Sequence, residues 1–551
     1  MKLRVLLMAA LLCFQAAAAL ANIPLMPVGD LRPGMQGIGK TVISGDTIEN
    51  FNVEILGVNG SETSGYSIFV RLSGDVIDKT GGVAQGMSGS PVYVDGRLVG
   101  AVAFGKVFND PHYCFLTPIG SMLPLVDEPR RKPYDWIPKS SGLLAGGFSP
   151  YGMEYLKEKL QPFGLEVLGS SGGAGDAGSS RLEPGSAVAV SVMQGDMTLG
   201  ALGTVTWTDD AGHVLAFGHP FMQRGDCGFF LNRVWVLGCV PNLQSSYKVG
   251  NIGSAVGTVT QDRASGIGGQ MGKLPGSVPL HISTSDLGRG VNDSLQLRIV
   301  DDEQLLPALA DAAVVNAVSR TFDRSGGGTA RVHFKITGAG SGKDLLVIDR
   351  ENMYYVNEGL MKVISQELTE ATNVLMQNKF EKVDLYGIDV EAEVSDAVQV
   401  AEVTKVSAKK GTVSPGEKIE LAVTMKPYRG EEFTRVVTYK VPEECKGRLT
   451  LTVRGGSSLS WIQELLRKQK EDGIPAQKKD DKRTLADFVK SVNEADKNNE
   501  LIIDVAAHKP DPAMVQADAG LAGMLQGSRN KQKYTFDFIV DGSTEISFAV
   551  E

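Results

Sequence analysis

The run Gly86-Met87-Ser88-Gly89-Ser90-Pro91 constrains this chain more than any other stretch. Glycines two before and one after Ser88 let the backbone turn through conformations that side chains with a Cβ disfavour. The turn feeds directly into alternating residues, Val92 to Phe104, broken by Asp95-Gly96. That pair between apolar runs is a hairpin signal, so Ser88 sits on a turn entering a β-hairpin. In such a turn the amides of Gly86 and Ser88 can point at one spot, beside the serine hydroxyl. Read alone, six residues also fit a Gly/Ser turn with no chemistry.

The flanking blocks carry the same β signature. Gly37 to Val42, Phe51 to Val58 and Ser67 to Leu72 read as short strands, as do Val188 to Val192, Thr204 to Trp207 and His213 to Phe217. With 65 glycines and a turn signal every few residues, the chain is expected to be mainly β. Residues 1–21 read as a secretory leader: Lys2 and Arg4, an apolar stretch from Val5 to Phe14, and Ala19-Leu20-Ala21 as a small-x-small cleavage site. Cys13 follows Leu12 rather than a small residue, which argues against a lipid anchor. No later run is long and apolar enough for a membrane span, so a secreted or periplasmic location is expected. The formal charge is -9, about -11 without Lys2 and Arg4, and there is no basic block. Nucleic-acid binding is therefore not expected.

Roughly 530 residues after the leader imply about three or four domains. The divisions read as follows: 22–130, the block bearing Ser88; 131–185, a helical insert near Met153 to Leu160 with a Gly/Ser linker at 169–180; 186–345, a second β block; 346–394, a connecting helix region; 395–456, an immunoglobulin-like β-sandwich; and 457–551, a small α+β region. Asn357 is a candidate cap for one helix carrying Leu360, Ile364, Leu368 and Leu375 on one face. The tail offers helices at 460–468 and 484–493, a charged loop between them, and a closing strand near Phe536 to Val540. Ala103-Phe104-Gly105 with Phe108 and Cys114 recurs as Ala216-Phe217-Gly218 with Phe221 and Cys227, at a constant offset of 113. This echo fits two related barrels.

Chemistry at Ser88 requires a base. Of six histidines, His219 lies between Gly218 and Pro220 at the end of an apolar strand, where small neighbours leave an imidazole accessible. His213 follows Asp209-Asp210-Ala211-Gly212 and reads as a turn residue; His281 and His333 alternate with apolar residues on strands; His112 is in a loop and stays open as a base. Cys227 and Cys239 flank the apolar run Phe229 to Leu237 and read either as a disulfide stapling it or as free thiols. No cysteine pair has metal-ligand spacing, and no metal or organic cofactor is called for.

Thr80 to Pro91, with Gly96 to Val102 behind it, resembles the nucleophile region of the SpoIVB-type sporulation serine peptidases. Gly203-Thr204-Val205-Thr206 and Ala216-Phe217-Gly218-His219 resemble that family's histidine region, and Gly250 to Gly268 its glycine-rich stretch. The resemblance implies a chymotrypsin-related double β-barrel, with Ser88 as nucleophile, His219 as base and the Gly86 and Ser88 amides as oxyanion hole. It implies a protein or peptide substrate and a processing role. Two departures stand out. The family places its histidine block before its serine block, whereas here Ser88 precedes His219 by 131 residues, the order of a circular permutation. The family's triad aspartate falls fifteen residues before the serine, and Ser73 occupies that place. Asp75 and Asp78 are near, but a two-residue shift along a strand moves a side chain by ~6 Å. Asp209, Asp210 and Asp226 are alternatives beside His219, as is a Ser-His dyad with Ser73 as a weak orienter. A second reading keeps the barrels as a scaffold with impaired catalysis, binding an envelope protein partner through residues 395–551.

Overall fold

The computed structural model describes residues 23–104, 110–127, 142–170, 181–242, 246–324, 326–456, 484–506 and 531–551. The leader, the Gly/Ser linker from Ser171 to Ser180, the candidate helix at 460–468 and the charged loop after it lie outside these residues. The chain forms two compact units, one of residues up to Val278 with Gln296–Leu309, the other of Pro279–Leu295 with Ala310–Glu551. The chain is mainly β, as its alternating pattern requires.

In the first unit, β1 (Gln36–Val42), β2 (Ile48–Ser61), β3 (Gly65–Ser73), β4 (Pro91–Val94), β5 (Arg97–Phe104) and β6 (Tyr113–Pro118) close a barrel in the order β1-β2-β3-β6-β5-β4. Period-two alternation explains its core. Phe51, Val53 and Ile55 from β2 and Ile68, Val70 and Leu72 from β3 all point inward, joined by Met87 from the Ser88 turn. Each such side chain contributes about 1.5–3 kcal/mol by leaving water. The hairpin turns at Asp95 (φ 51°) and Gly96 (φ 72°), as its Asp-Gly pair predicts.

After β7 (Leu143–Gly146) and β8 (Val167–Ser170) come β9 (Ala187–Gly195), β10 (Thr198–Thr208), β11 (His213–Ala216), β12 (Gly225–Val240), β13 (Tyr247–Arg263) and β14 (Gly266–Met271). Their pairings run β9-β10-β11-β14-β13-β12 and return to β9, a second closed ring. Counted within each barrel, both rings follow the order 1-2-3-6-5-4. The two barrels are thus topological twins, but the offset of 113 does not relate them. That offset lays β5 and β6 over β11 and β12, whereas strand order makes β13 and β14 the equivalents of β5 and β6. The echo is a likeness of short apolar runs at non-equivalent places.

The barrels join along a shared apolar seam of Val42, Ala187, Leu202, Val236 and Ile252. Gly45 and Val236 exchange backbone hydrogen bonds of 2.7 and 3.0 Å across it. The disulfide alternative for Cys227 and Cys239 is overturned. Both thiols are free and both lie on β12, whose extended course places them roughly 40 Å apart at ~3.3 Å per residue.

The second unit holds the strands Leu345–Val356, Gly328–Ala339 and Asp384–Ser395, the last pairing in parallel with the stretch Leu280 to Asp286. The stripe expected as one helix is two, Leu360–Val363 and Gln366–Met376. Gly359 precedes the first in a left-handed conformation, and Ser365 breaks the pair where its hydroxyl meets buried Asp311 at 2.5 Å. Thr484 caps the helix Leu485–Glu494 through a capping box with Asp487. Two further sheets share one core that includes Val403, Leu421, Leu451, Ile503 and Phe548, so residues after 499 supply strands to the same sandwich as residues 400–455. No helix among the described residues is long and apolar enough to cross a membrane.

Candidate active site

Ser88 lies between the third and fourth strands of the first barrel, and His219 between the third and fourth strands of the second. Equivalent loops of twin barrels therefore carry the two residues.

The Ser88 turn is built from opposed peptide groups. Gly86 (φ 91°) and Gly89 (φ 93°) adopt conformations that suit glycine. Met87 is buried in the barrel core, and its amide donates to Ala84 O at 2.9 Å. Ser90 donates to Met87 O through both its amide (2.9 Å) and its hydroxyl (2.6 Å). The second barrel holds the remaining carbonyls. Lys248 N–H donates to Gln85 O at 2.9 Å, the Thr204 hydroxyl to Gly86 O at 3.0 Å, Thr204 N–H to Ser88 O at 2.8 Å, and the Thr206 hydroxyl to Gly89 O at 2.8 Å. A trans peptide points its N–H opposite its C=O. With the Gln85 carbonyl turned to Lys248 and the Met87 carbonyl turned to Ser90, the amides of Gly86 and Ser88 face away from those partners. Neither amide has a protein acceptor among the described residues.

His219 follows two successive left-handed residues, Phe217 (φ 69°) and Gly218 (φ 68°). For phenylalanine this is uncommon backbone, and the packing around it is correspondingly tight. Phe217 is fully buried, and a Cβ on Gly203 would lie 2.2 Å from its ring, so Gly203 must be glycine. Phe217 N–H donates to Thr204 O at 3.4 Å, and the Thr117 hydroxyl to Gly218 O at 2.5 Å. Thr204 thus holds the Ser88 turn by its N–H and hydroxyl and the His219 turn by its carbonyl. His219 Nδ1 donates to Pro220 O at 2.8 Å, because a carbonyl can only accept, and this leaves Nε2 as the unprotonated nitrogen of the neutral ring. Burial pushes the His219 pKa below its ordinary value, and the Pro220 carbonyl pulls it partly back.

The other candidates lie elsewhere. Ser73 is the exposed last residue of β3, in register with Asn52; Asp75 and Asp78 are exposed on the helix Asp75–Thr80. Asp209 is engaged with His213 at 2.7 Å, and Asp226 with Arg263 at 2.7 Å. His112 pairs with Asp110, His281 with Asp389 and His333 with Asp349, while His508 lies outside the described residues. Two residues that sequence reasoning passed over are central. Asp262 is fully buried and accepts the backbone N–H groups of Phe221 (2.7 Å), Met222 (2.8 Å) and Arg224 (3.0 Å) just after His219. Lys248 is buried beneath Gly86, its Nζ at 2.9 Å from the Thr41 hydroxyl and 3.4 Å from that of Thr204. The only signal for either was a charged residue on an otherwise apolar or glycine-rich strand.

Twin barrels of one strand order thus meet at a serine turn and a histidine turn, both held by Thr204. Residues 18–123 match the family described as SpoIVB peptidase S55, so this segment of the chain is similar to that family. The match takes in the whole first barrel and the Ser88 turn and ends before the second barrel. No curated protein and no solved structure matches the chain.

Proposed function

We propose that the protein is a serine endopeptidase acting through Ser88 and His219. Ser88 Oγ attacks the scissile carbonyl carbon while its proton passes to His219 Nε2. The Gly86 and Ser88 amides receive the negative charge that develops on the carbonyl oxygen. The imidazolium then protonates the leaving amine, the C–N bond breaks, and water releases the acyl group from Ser88 with His219 again as base. The observation that carries this reading is that the Gly86 and Ser88 amides have no acceptor among the described residues, on a turn gripped by the same Thr204 that grips the histidine turn. Such donors are fixed before substrate arrives, and losing one typically costs about 10²–10³ in rate.

The order of the two blocks fits an exchange of whole barrels, since each barrel is contiguous in sequence. Triads are defined by geometry rather than chain order, so the exchange leaves the chemistry intact. The leader and the family likeness support action outside the cytoplasm on a restricted set of protein substrates. A fluorophosphonate probe applied to the chain without residues 1–21 tests the reading. Labelling is expected on the native protein and absent in Ser88→Ala and His219→Ala. A folded native protein that stays unlabelled would instead support a peptidase-like scaffold.

A further inference from the structure

The triad acid that Ser73 fails to supply has a counterpart in the second barrel, and it reaches His219 through one peptide bond. The Pro220 carbonyl accepts from His219 Nδ1–H at 2.8 Å. That carbonyl and the Phe221 N–H belong to the same planar peptide group. The Phe221 N–H donates to Asp262 Oδ1 at 2.7 Å. The order of bonds is therefore imidazole N–H to peptide carbonyl, then peptide N–H to carboxylate.

We propose that Asp262 is the positioning residue of this site, orienting His219 and stabilising its imidazolium through the Pro220–Phe221 peptide. This rests on the Ser88–His219 reading above. Hydrogen bonds in series polarise one another, so an anion on the N–H side of a peptide makes its carbonyl a stronger acceptor. No proton moves along the relay: Nδ1 keeps its hydrogen, and the peptide transmits only charge displacement.

Three features favour the assignment. Asp262 is fully buried, and among the described residues its two oxygens accept backbone N–H groups from one loop, an arrangement that suits a carboxylate. Burial pushes its carboxyl up, and the N–H groups of Arg224, Met222, Phe221 and Gln223 pull it back toward the ionised form. The neighbouring charges are paired separately, Arg224 with Asp302 at 2.8 Å and Arg263 with Asp226 at 2.7 Å, while burial keeps the nearby Cys227 thiol protonated. Asp262 also lies at the end of β13, forty-three residues from His219 in sequence and on a different strand, so the pairing comes from barrel closure.

The test uses protein carrying nitrogen-15 histidine, with His219→Ala to assign the signal. In the unsubstituted protein His219 should show Nδ1 protonated and Nε2 bare above its pKa; the opposite tautomer overturns the proposal. In Asp262→Asn, which preserves shape and removes charge, His219 should titrate at lower pH. Fluorophosphonate labelling should slow by about ten- to a hundred-fold, less than the ~10⁴ lost when a directly bonded triad acid is neutralised. Arg224→Met loosens the same loop without touching the relay and should lower thermal stability while leaving the His219 titration in place. A folded Asp262→Asn with an unchanged His219 titration overturns the relay. If Asp262→Asn does not fold, carbon-13 aspartate in the unsubstituted protein decides: the Asp262 carboxyl signal should shift as His219 titrates, and a signal that stays fixed overturns the relay. The histidine measurements need no turnover, so they separate failure of the relay from failure of the peptidase reading.

Discussion

Gly89→Ala should lower the unfolding free energy by about 3–5 kcal/mol and abolish fluorophosphonate labelling together. The backbone at Gly89 has φ 93°, where a side chain brings strain of its own. The larger effect is steric. A Cβ there would stand 1.9 Å from Thr204 O and 2.5 Å from Phe217 N, distances no real contact tolerates. Both atoms are backbone, so no rotamer change relieves them. Thr204 O is also the acceptor for Phe217 N–H, and Gly89 N–H donates to Val102 O at 2.7 Å. Relieving the clash therefore moves either the serine turn or the histidine turn away from Thr204. Gly96→Ala is the control: φ is again positive, at 72°, but nothing lies within 4 Å of its Cβ, so about 1 kcal/mol is expected. Urea unfolding with unchanged m-values measures both. Equal losses at the two glycines would show that backbone conformation alone, and not the meeting of the two turns, makes Gly89 necessary.

The same residues show what the sequence could and could not reveal. Ser88 and its glycines are legible because a local backbone requirement leaves a local trace, and the Asp95-Gly96 turn is legible for the same reason. The Gly203-Thr204-Val205-Thr206 stretch is visible as a pattern, but its purpose is not. Thr204 and Thr206 bond to carbonyls more than a hundred residues away, and no periodicity encodes that. Asp262 and Lys248 read as ordinary strand charges because burial is settled by which strands close the ring. The misread echo at offset 113 has the same origin: strand order 1-2-3-6-5-4 is a non-local fact, and a short apolar likeness does not record it. Cys227 and Cys239 were ambiguous because the nine-residue apolar run between them concealed a sixteen-residue strand. The split of the helix after Gly359 follows from the hold of Asp311 on Ser365, again a distant partner.

Lys248 should make the protein more stable as pH rises from about 8 toward 10.5, and Lys248→Met should remove that gain. The side chain is 2 % exposed, with its stem against Gly86, and among the described residues its Nζ hydrogen-bonds to the hydroxyls of Thr41 and Thr204. Burial without a carboxylate partner pulls its pKa down to about 8, from the 10.5 of a solvated lysine. Between those values the unfolded chain binds a proton that the folded chain has released, so the unfolding free energy increases with pH. The full span is worth about 3 kcal/mol at 1.36 kcal/mol per pH unit. Below about pH 8 both states are protonated, the cost of the buried charge is complete, and the slope from this group vanishes. Half-buried Tyr93 and buried Cys114, each pushed up to about 12, give the opposite slope at high pH, but they are common to both proteins and cancel in the difference. Cys239 faces the lysine and couples to it, so the comparison belongs in a Cys239→Ala background. There the stability gap between the protein that keeps Lys248 and its Lys248→Met variant, from urea unfolding at pH 7 and pH 10, should shift by about 2–3 kcal/mol in favour of lysine. A gap that does not change with pH would mean that Lys248 stays charged in the fold. A charge kept at such cost beneath the serine turn makes sense through Thr204: its hydroxyl, facing the ammonium on one side, donates to Gly86 O on the other. Methionine can fill the same volume, but it cannot hold that hydroxyl in the orientation that aims the turn.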